Sequence, residues 1–348
     1  MKRRSFIQAL SALPALAGAV PALAASDNPD ALTRALDVVR PKGLQTGSTV
    51  GIVCPASAAS ATDVQDFVSL CQRWGVKVKL GRNISRRSGY LSAPDADRAA
   101  ELMGFIEDPA IDAVVCARGG YGVMRILPML DFSAIRHSNK IIMGFSDITA
   151  LLIAVQQLSG IVTYHGPVAS STFDEFTVDS LKRTVASDDN RSVQFKDARL
   201  TTLRPGLAQG RLTGGNLAMI VSTLGTKYEI DTTNAILFLE EVNEEPYRID
   251  RMLTQLWLAG KLQSCKAVAL GNFRDCQARG TSITGPSYTL EQVLEQRIGS
   301  LGVPAVYGLP IGHVRSKLTM PLGITAELDA TNKQLRFLEP CVAERKSP

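Results

Sequence analysis

Short apolar runs alternate with segments of helical spacing along the first half of the chain. The predicted strands cover residues 49–54, 76–80, 113–116, 140–144 and 161–164, and the predicted helices between them cover residues 62–74, 95–107, 123–130 and 148–158. Strands that alternate with helices are typical of a parallel sheet covered by helices on both faces. The pattern therefore predicts an α/β domain over residues 45–185.

The second half has a different pattern. Residues 186–208 are mainly polar, and we interpret them as a linker. Two apolar strands around a helix and then a pair of alternating segments follow, at residues 235–239, 248–258, 267–270, 324–328 and 334–338. The alternating pair predicts an antiparallel hairpin. We expect a mixed, β-rich domain over residues 209–342.

The first 25 residues have the pattern of a signal peptide. Lys2, Arg3 and Arg4 precede an apolar stretch at 6–23, and Ala22-Leu23-Ala24 matches a small-residue cleavage site. This predicts export to the periplasm. The arginine pair also fits a twin-arginine signal, so the export route stays open, and a short membrane anchor is the alternative reading.

Composition narrows the class of protein. The chain has 348 residues, 45% of them hydrophobic and 20% charged, which indicates a globular protein with room for two domains. Three of the charges behind the formal net charge of +5 lie in the leader, so no nucleic-acid partner is expected. The six cysteines form no C-x-x-C pair, which argues against a zinc or thioredoxin-like site.

A serine follows the fourth predicted strand directly. Gly144-Phe145-Ser146-Asp147 leads from this strand into a helix, and a serine at such a turn is exposed beside the N–H groups of the helix. Ile148 replaces the last glycine of the G-x-S-x-G motif, which weakens a standard α/β-hydrolase reading. Ser146 is a candidate nucleophile, and the alternative is that it only caps the helix.

A nucleophilic hydroxyl needs a base, and an acid that orients the base. His137 lies in a polar stretch, whereas His165 follows a strand near Ser146 and His313 lies in a Gly- and Pro-containing loop. His165 and His313 both remain candidates for the base. Glu240 ends an apolar strand, where a carboxylate needs a partner, and its neighbours Glu241, Glu244 and Glu245 fit a solvated loop.

Two glycine pairs are candidates for close contact with a ligand, and the first of them follows the predicted strand at 113–116. Arg118-Gly119-Gly120-Tyr121-Gly122 matches neither a dinucleotide fingerprint nor a P-loop. Its backbone N–H groups can approach a ligand closely, as an oxyanion hole requires, or the segment is simply a tight turn. Gly214-Gly215-Asn216 opens another helix and can do likewise.

Taken in order, these motifs resemble the LD-carboxypeptidase family, which includes the microcin C self-immunity peptidases. The matching segments are 51–56, 118–122, 144–150, 164–167, 210–217, 239–253 and 312–313. The resemblance implies a Rossmann-like N-terminal parallel-sheet domain and a C-terminal mixed, β-rich domain, with the site between them. It also implies a homodimer and a reaction that needs no metal or other cofactor.

The resemblance implies a Ser-Glu-His triad of Ser146, Glu240 and His313, and His165 then becomes a structural or pocket residue. It places the oxyanion hole at the backbone N–H groups of Gly119, Gly120 and Asp147. Tyr121 and Asn216 are the candidate substrate-binding residues.

The implied reaction removes the terminal D-alanine from a murein tetrapeptide, so the expected partner is a muropeptide. A microcin C-type hydrolase of the same family is one alternative, although its substrate is intracellular. A non-enzymatic periplasmic peptide-binding protein and an exported esterase are the others.

Overall fold

The computed structural model describes residues 36–186, 193–278 and 287–343. The predicted signal peptide lies outside these ranges. None of the helices within them is long and apolar enough to cross a membrane. From residue 36 onward the chain forms one compact unit.

The first half contains the predicted parallel sheet. Its strands, in spatial order β2-β1-β3-β4-β5, are all parallel to their neighbours. The strands are β1 (Thr49–Val53), β2 (Lys77–Leu80), β3 (Ala113–Cys116), β4 (Ile141–Gly144) and β5 (Thr163–His165), and the helices are α1 (Gln65–Arg73), α2 (Asp95–Glu107), α3 (Val123–Ile126), α4 (Phe132–Ser138), α5 (Thr149–Ser159) and α6 (Glu175–Val185).

Burial explains why the central strands β3 and β4 are continuous apolar runs. Every residue of β3, β4 and β5 is buried, whereas β2 at the edge of the sheet is largely exposed. A strand with helices on both faces exposes neither face to water, so β3 and β4 are apolar, whereas β5 buries the polar side chains of Thr163 and His165. The carboxyl ends of β3 and β4 lead into the Gly119-Gly120 turn and into Ser146, at one edge of the sheet.

The second half forms a mixed sheet of eight strands in the order β6-β14-β13-β8-β9-β10-β11-β7. Strands β8 to β11 are parallel, and the flanking strands pair antiparallel. The elements are β6 (Gln194–Lys196), β7 (Thr201–Arg204), β8 (Leu207–Asn216), α7 (Leu217–Ser222), β9 (Ala235–Val242), α8 (Pro246–Leu258), β10 (Ala267–Arg274), α9 (Leu290–Arg297), β11 (Ala305–Leu309), β12 (Met320–Leu322), β13 (Thr325–Asp329) and β14 (Gln334–Phe337).

The predicted fold class, an α/β protein with a parallel sheet and a mixed second sheet, is confirmed, as is the hairpin of β13 and β14. Residues 186–208, which we interpret from the sequence as a linker, contain strands. The described part of this segment forms β6, β7 and the start of β8, all in the second sheet. These edge strands are short and polar, so their pattern resembles a loop.

The chain also returns to the first sheet near its end. Strand β12 pairs antiparallel with β5, where Met320 lies opposite His165. Its central residue is Pro321, which an edge strand accommodates because one side of its backbone needs no ladder bond. One apolar cluster includes buried residues of both sheets, and the predicted boundary between two domains stays a prediction.

The six cysteines are buried free thiols. Burial raises the pKa of Cys54 to about 11 and that of Cys71 to about 12, so these thiols stay protonated at neutral pH. Cys54 and Cys116 are 1% and 0% exposed, and they pack as small apolar side chains in the core.

Two glycines at the end of β8 allow close contacts with neighbouring elements. Gly214 and Gly215 have φ values of +143° and +145°. A Cβ at Gly214 would lie 1.9 Å from the Phe238 carbonyl oxygen of β9, and a Cβ at Gly215 would lie 2.5 Å from Thr149 Cγ2 of α5. The end of β8 can therefore contact both β9 and the helix that follows Ser146.

We expect Gly214→Ala to lower the free energy of unfolding by about 3 kcal/mol or more, because the new methyl group meets backbone that cannot move away. Urea unfolding of the purified protein measures this. Gly225→Ala is the control, since Gly225 also has a positive φ (+78°) but has open space around it. Its cost should be about 1 kcal/mol. Equal losses in the two variants would contradict the close-contact explanation.

Candidate active site

Ser146 occupies a sharp turn between β4 and α5. Phe145 is extended, and Ser146 then adopts a φ of +65°, in the left-handed region that non-glycine residues rarely occupy. A 3-10 turn over Ser146–Ile148 leads directly into α5. This conformation of Ser146 costs about 1–3 kcal/mol, and it places a partly exposed hydroxyl at the start of a helix.

His313 is the histidine that reaches this hydroxyl. It lies in the loop after β11, and its Nε2 is 3.2 Å from Ser146 Oγ. On the other side of the ring, its Nδ1 is 2.8 Å from Glu240 Oε2. The structure thus brings together the three residues that the resemblance had selected, in one chain of hydrogen bonds.

Glu240 lies near the end of β9 and is fully buried. The loop before His313 approaches it so closely that a Cβ on Gly312 would lie 2.1 Å from Glu240 Oε2. Glycine at position 312 is therefore required for the contact between Glu240 and His313. The other oxygen, Oε1, has no hydrogen-bond partner among the described residues.

The acidic neighbours of Glu240 have other contacts. Glu241 accepts hydrogen bonds from the Ala218 and Val242 N–H groups and from the Asn216 side chain, and burial raises its pKa. Its carboxylate thus lies at the start of α7. Glu244 pairs with Arg248 at 3.4 Å. The reading of Glu241 as a solvated loop residue is wrong, because it is 3% exposed.

The Gly119-Gly120 turn lies against the nucleophile. A Cβ on Gly119 would be 2.8 Å from Ser146 Cβ and 3.1 Å from Ser146 Oγ. Neither Gly119 N–H nor Gly120 N–H donates a hydrogen bond to any described residue. The two N–H groups are therefore available to a ligand.

Two buried charged side chains hold this turn in place. Asp147 Oδ2 accepts the Val123 N–H at 2.9 Å, and burial raises the pKa of Asp147. Arg98 of α2 is 1% exposed and donates to the carbonyl oxygens of Pro55, Ala93 and Gly122. Sequence reasoning missed Arg98, although an arginine on the apolar face of a predicted helix is a signal that could have identified it.

The two predicted substrate-binding residues differ in their surroundings. Tyr121 is exposed, and its ring packs edge to face against the exposed ring of Tyr90, with the ring centroids 5.4 Å apart. Asn216 is buried, and its side chain accepts the Met219 N–H at the start of α7 and donates to Glu241. The geometry therefore gives Asn216 a capping role, and substrate binding by either residue stays a prediction.

The remaining histidines lie elsewhere. His137 is on α4, and its Nδ1 lies 2.7 Å from the Ser133 carbonyl oxygen. His165 is 1% exposed, and burial lowers its pKa to about 4 although the charge of Glu240 opposes this. The Phe145 ring packs against both histidine rings, with centroid-to-centroid distances of 6.0 Å to His165 and 4.9 Å to His313. His165 is thus buried near the site, and it is His313 that contacts Ser146.

The arrangement can perform nucleophilic chemistry. A hydroxyl, an imidazole and a carboxylate lie in sequence, and the Gly119-Gly120 turn packs against Ser146. Within the described ranges, no three His, Cys, Asp or Glu residues are grouped so that they could hold a metal ion.

Comparisons with known proteins identify the family of the chain. A family model of the LD-carboxypeptidase N-terminal domain matches residues 50–166, and a model of the C-terminal domain matches residues 209–328. A Bacillus subtilis protein named "Probable murein peptide carboxypeptidase" is 39% identical over 84% of this chain and 92% of its own. The "Murein tetrapeptide carboxypeptidase" of Pseudomonas aeruginosa is 30% identical over 80% of this chain and 92% of its own.

Solved structures of other proteins have a similar fold. The muramoyltetrapeptide carboxypeptidase from Oxalobacter formigenes superposes with a TM-score of 0.74 at 29% identity, covering 84% of this chain and 99% of that one. The microcin C7 self-immunity protein MccF has a TM-score of 0.79 at 23% identity, covering 88% of this chain and 100% of that one, and this likeness shows a shared fold. The resemblance of the sequence motifs is therefore confirmed: the chain belongs to the LD-carboxypeptidase family and is a serine-type carboxypeptidase.

Proposed function

We propose that this enzyme releases the terminal D-alanine from murein tetrapeptides, with Ser146 as nucleophile, His313 as general base and Glu240 as the acid that orients it. The observation behind the proposal is the hydrogen-bond chain, 3.2 Å from Ser146 Oγ to His313 Nε2 and 2.8 Å from His313 Nδ1 to Glu240 Oε2. These distances suit proton transfer between the first two groups.

In the first step, Ser146 Oγ attacks the carbonyl carbon of the peptide bond while its proton moves to His313 Nε2. The imidazolium that forms is stabilised by the carboxylate of Glu240 at Nδ1. His313 then gives the proton to the nitrogen of the leaving D-alanine, and the C–N bond breaks. An acyl-enzyme ester on Ser146 remains.

The carbonyl oxygen becomes an oxyanion during this step. The N–H groups of Gly119, Gly120 and Asp147 are the donors we assign to it, and the start of α5 adds the positive end of a helix dipole. Water then attacks the ester with His313 again as the base, and the shortened peptide leaves.

The murein substrate is favoured over the microcin C alternative by the relatives. The carboxypeptidases of Bacillus subtilis and Pseudomonas aeruginosa are 39% and 30% identical to this chain, and both names refer to murein. The microcin C7 self-immunity protein of Escherichia coli is 26% identical. Tyr121, exposed directly after the Gly119-Gly120 turn, can contact the bound peptide.

We place the enzyme in the periplasm because of the N-terminal pattern of basic residues, apolar stretch and Ala22-Leu23-Ala24. In that compartment the enzyme would meet murein peptides directly. The leader would be removed, leaving no membrane insertion.

Wild-type enzyme should convert a murein tetrapeptide to the tripeptide, seen by mass spectrometry as the loss of one alanine residue. Ser146→Ala should lower kcat by about 10⁴-fold or more, because no other group forms the acyl-enzyme. It should also abolish labelling by a fluorophosphonate. Tight peptide binding without turnover in the wild type would instead support a binding protein, and ester hydrolysis without D-alanine release would support an esterase.

Glu240→Gln should lower kcat by about 10³- to 10⁴-fold with a small change in KM, because a neutral amide no longer stabilises the imidazolium. Steady-state kinetics on the tetrapeptide measure both constants. Glu244→Gln is the matched control, since Glu244 belongs to the same acidic cluster and pairs with Arg248 instead. Equal losses in the two variants would contradict the assignment of Glu240.

Full-length protein expressed in a bacterium with two membranes should appear in the periplasmic fraction, with a new N-terminus after Ala24. Fractionation and N-terminal sequencing test this. Changing Arg3 and Arg4 to lysine should retain the protein in the cytoplasm if the twin-arginine route is used. Retention of the wild-type chain in the cytoplasm would refute the export proposal.

A further inference from the structure

Lys317 is a buried lysine beside the triad that has no part in the proposed proton transfer. It is 6% exposed, and none of the described residues forms an ion pair with its ammonium group. Burial lowers the pKa of Lys317, and the more distant charges of Asp174 and Glu240 oppose this. Lysine is rarely buried without a paired charge, because removing an ammonium group from water is costly. The direct contacts of this side chain therefore need an explanation.

The first contact of the ammonium group is with the residue that follows the catalytic histidine. Lys317 Nζ donates a hydrogen bond to the Val314 carbonyl oxygen. The Val314 N–H in turn donates to the Gly312 carbonyl oxygen at 2.9 Å, which closes a three-residue turn centred on His313. Lys317 therefore restrains the end of the backbone turn that carries the His313 ring.

The second contact is with the residue that precedes the nucleophile. Lys317 Nζ lies over the Phe145 ring, 5.5 Å from its centroid, which is within the range of a cation–π interaction. The same ring packs against the His313 ring, with the centroids 4.9 Å apart. One ammonium group thus contacts a chain neighbour of Ser146 and a chain neighbour of His313.

The backbone of Lys317 is fixed independently of its ammonium group. The Lys317 N–H donates to Thr177 Oγ1 on α6 at 3.0 Å. The Leu318 N–H donates to the Pro310 carbonyl oxygen at 2.7 Å, which closes the loop that carries His313. The side chain therefore extends from a fixed backbone position, and its ammonium group can be removed without loss of these anchors.

We propose that Lys317 is a positioning residue for the triad: its ammonium group holds the His313 turn and the Phe145 ring in one arrangement, which keeps His313 Nε2 within hydrogen-bond distance of Ser146 Oγ. This role rests on the proposed function of Ser146 and His313 as nucleophile and base. A carbonyl oxygen and the face of an aromatic ring both attract positive charge, so a neutral side chain of the same length does not replace the two contacts. Small displacements between reacting groups lower the rate strongly.

Lys317→Met removes the charge and the N–H donors and keeps an unbranched side chain of similar length. We expect it to lower kcat on the murein tetrapeptide by about 10- to 100-fold, the effect of losing one hydrogen bond from a charged group. KM should stay within about twofold, because a positioning residue does not contact the peptide. Lys317→Arg keeps the charge and the donors and should recover part of the loss. An unchanged kcat in Lys317→Met, or a raised KM alone, would overturn the proposal.

Lys140→Met is the matched control. Lys140 is also 6% exposed, burial also lowers its pKa, and its Nζ also donates to backbone carbonyl oxygens, those of Phe105 and Asp108. It precedes β4, at the opposite end of that strand from Ser146. Lys140→Met should lower the midpoint of urea unfolding and leave kcat unchanged. Equal losses of kcat in Lys140→Met and Lys317→Met would show a general effect of removing a buried lysine, and the proposal would be wrong.

A measurement without the peptide separates this proposal from the proposed function. The rate of labelling by a fluorophosphonate depends on activation of Ser146 by His313 and not on recognition of a peptide. It should fall in Lys317→Met by a factor similar to that for kcat and stay at the wild-type value in Lys140→Met. Labelling of Lys317→Met at the wild-type rate would overturn the role of Lys317, whereas a labelled wild type that leaves tetrapeptide intact would contradict only the substrate assignment.

Discussion

The buried carboxylate of Glu240 is the constraint on which the site depends. A fully buried carboxylate without partners costs several kcal/mol, and Glu240 has one direct hydrogen-bond partner among the described residues, the imidazole of His313. That contact requires a loop without a side chain at Gly312. The buried Glu240 carboxylate therefore requires the loop to lie against β9. The loop in turn places His313 Nε2 within 3.2 Å of Ser146 Oγ.

The loop that carries His313 is anchored to the first half of the protein. Beyond His313, the Lys317 N–H donates to Thr177 Oγ1 and the Thr319 N–H donates to Ser180 Oγ, both on α6. Strand β12 then joins the first sheet beside β5. From the other side, the Asn216 N–H of β8 donates to Thr149 Oγ1 on the helix that follows Ser146. These contacts explain how groups from two sheets can lie within hydrogen-bond distance in a site that needs near-ångström placement.

Much of the fold follows from local pattern. The predicted helix at 95–107 and strand at 113–116 match α2 and β3, because strands buried on both faces and helices with one apolar face have distinct periodicities. The short polar strands β6 and β7 and the proline-containing β12 were missed. They lie at sheet edges, where pairing partners distant in sequence create the strand and the residues themselves do not require it.

The sequence by itself determined that a serine follows one buried strand, that a carboxylate follows the apolar run of another and that a glycine pair follows a third, since burial and turn formation depend on near neighbours. It left open which histidine meets the serine; motif resemblance favoured His313, although His165 is nearer along the chain. Only the tertiary structure decided this: β5 places His165 inside the core behind Phe145, and the loop after β11 directs His313 onto Ser146. Contacts between residues 167 positions apart depend on how whole sheets pack, and no local pattern contains that information.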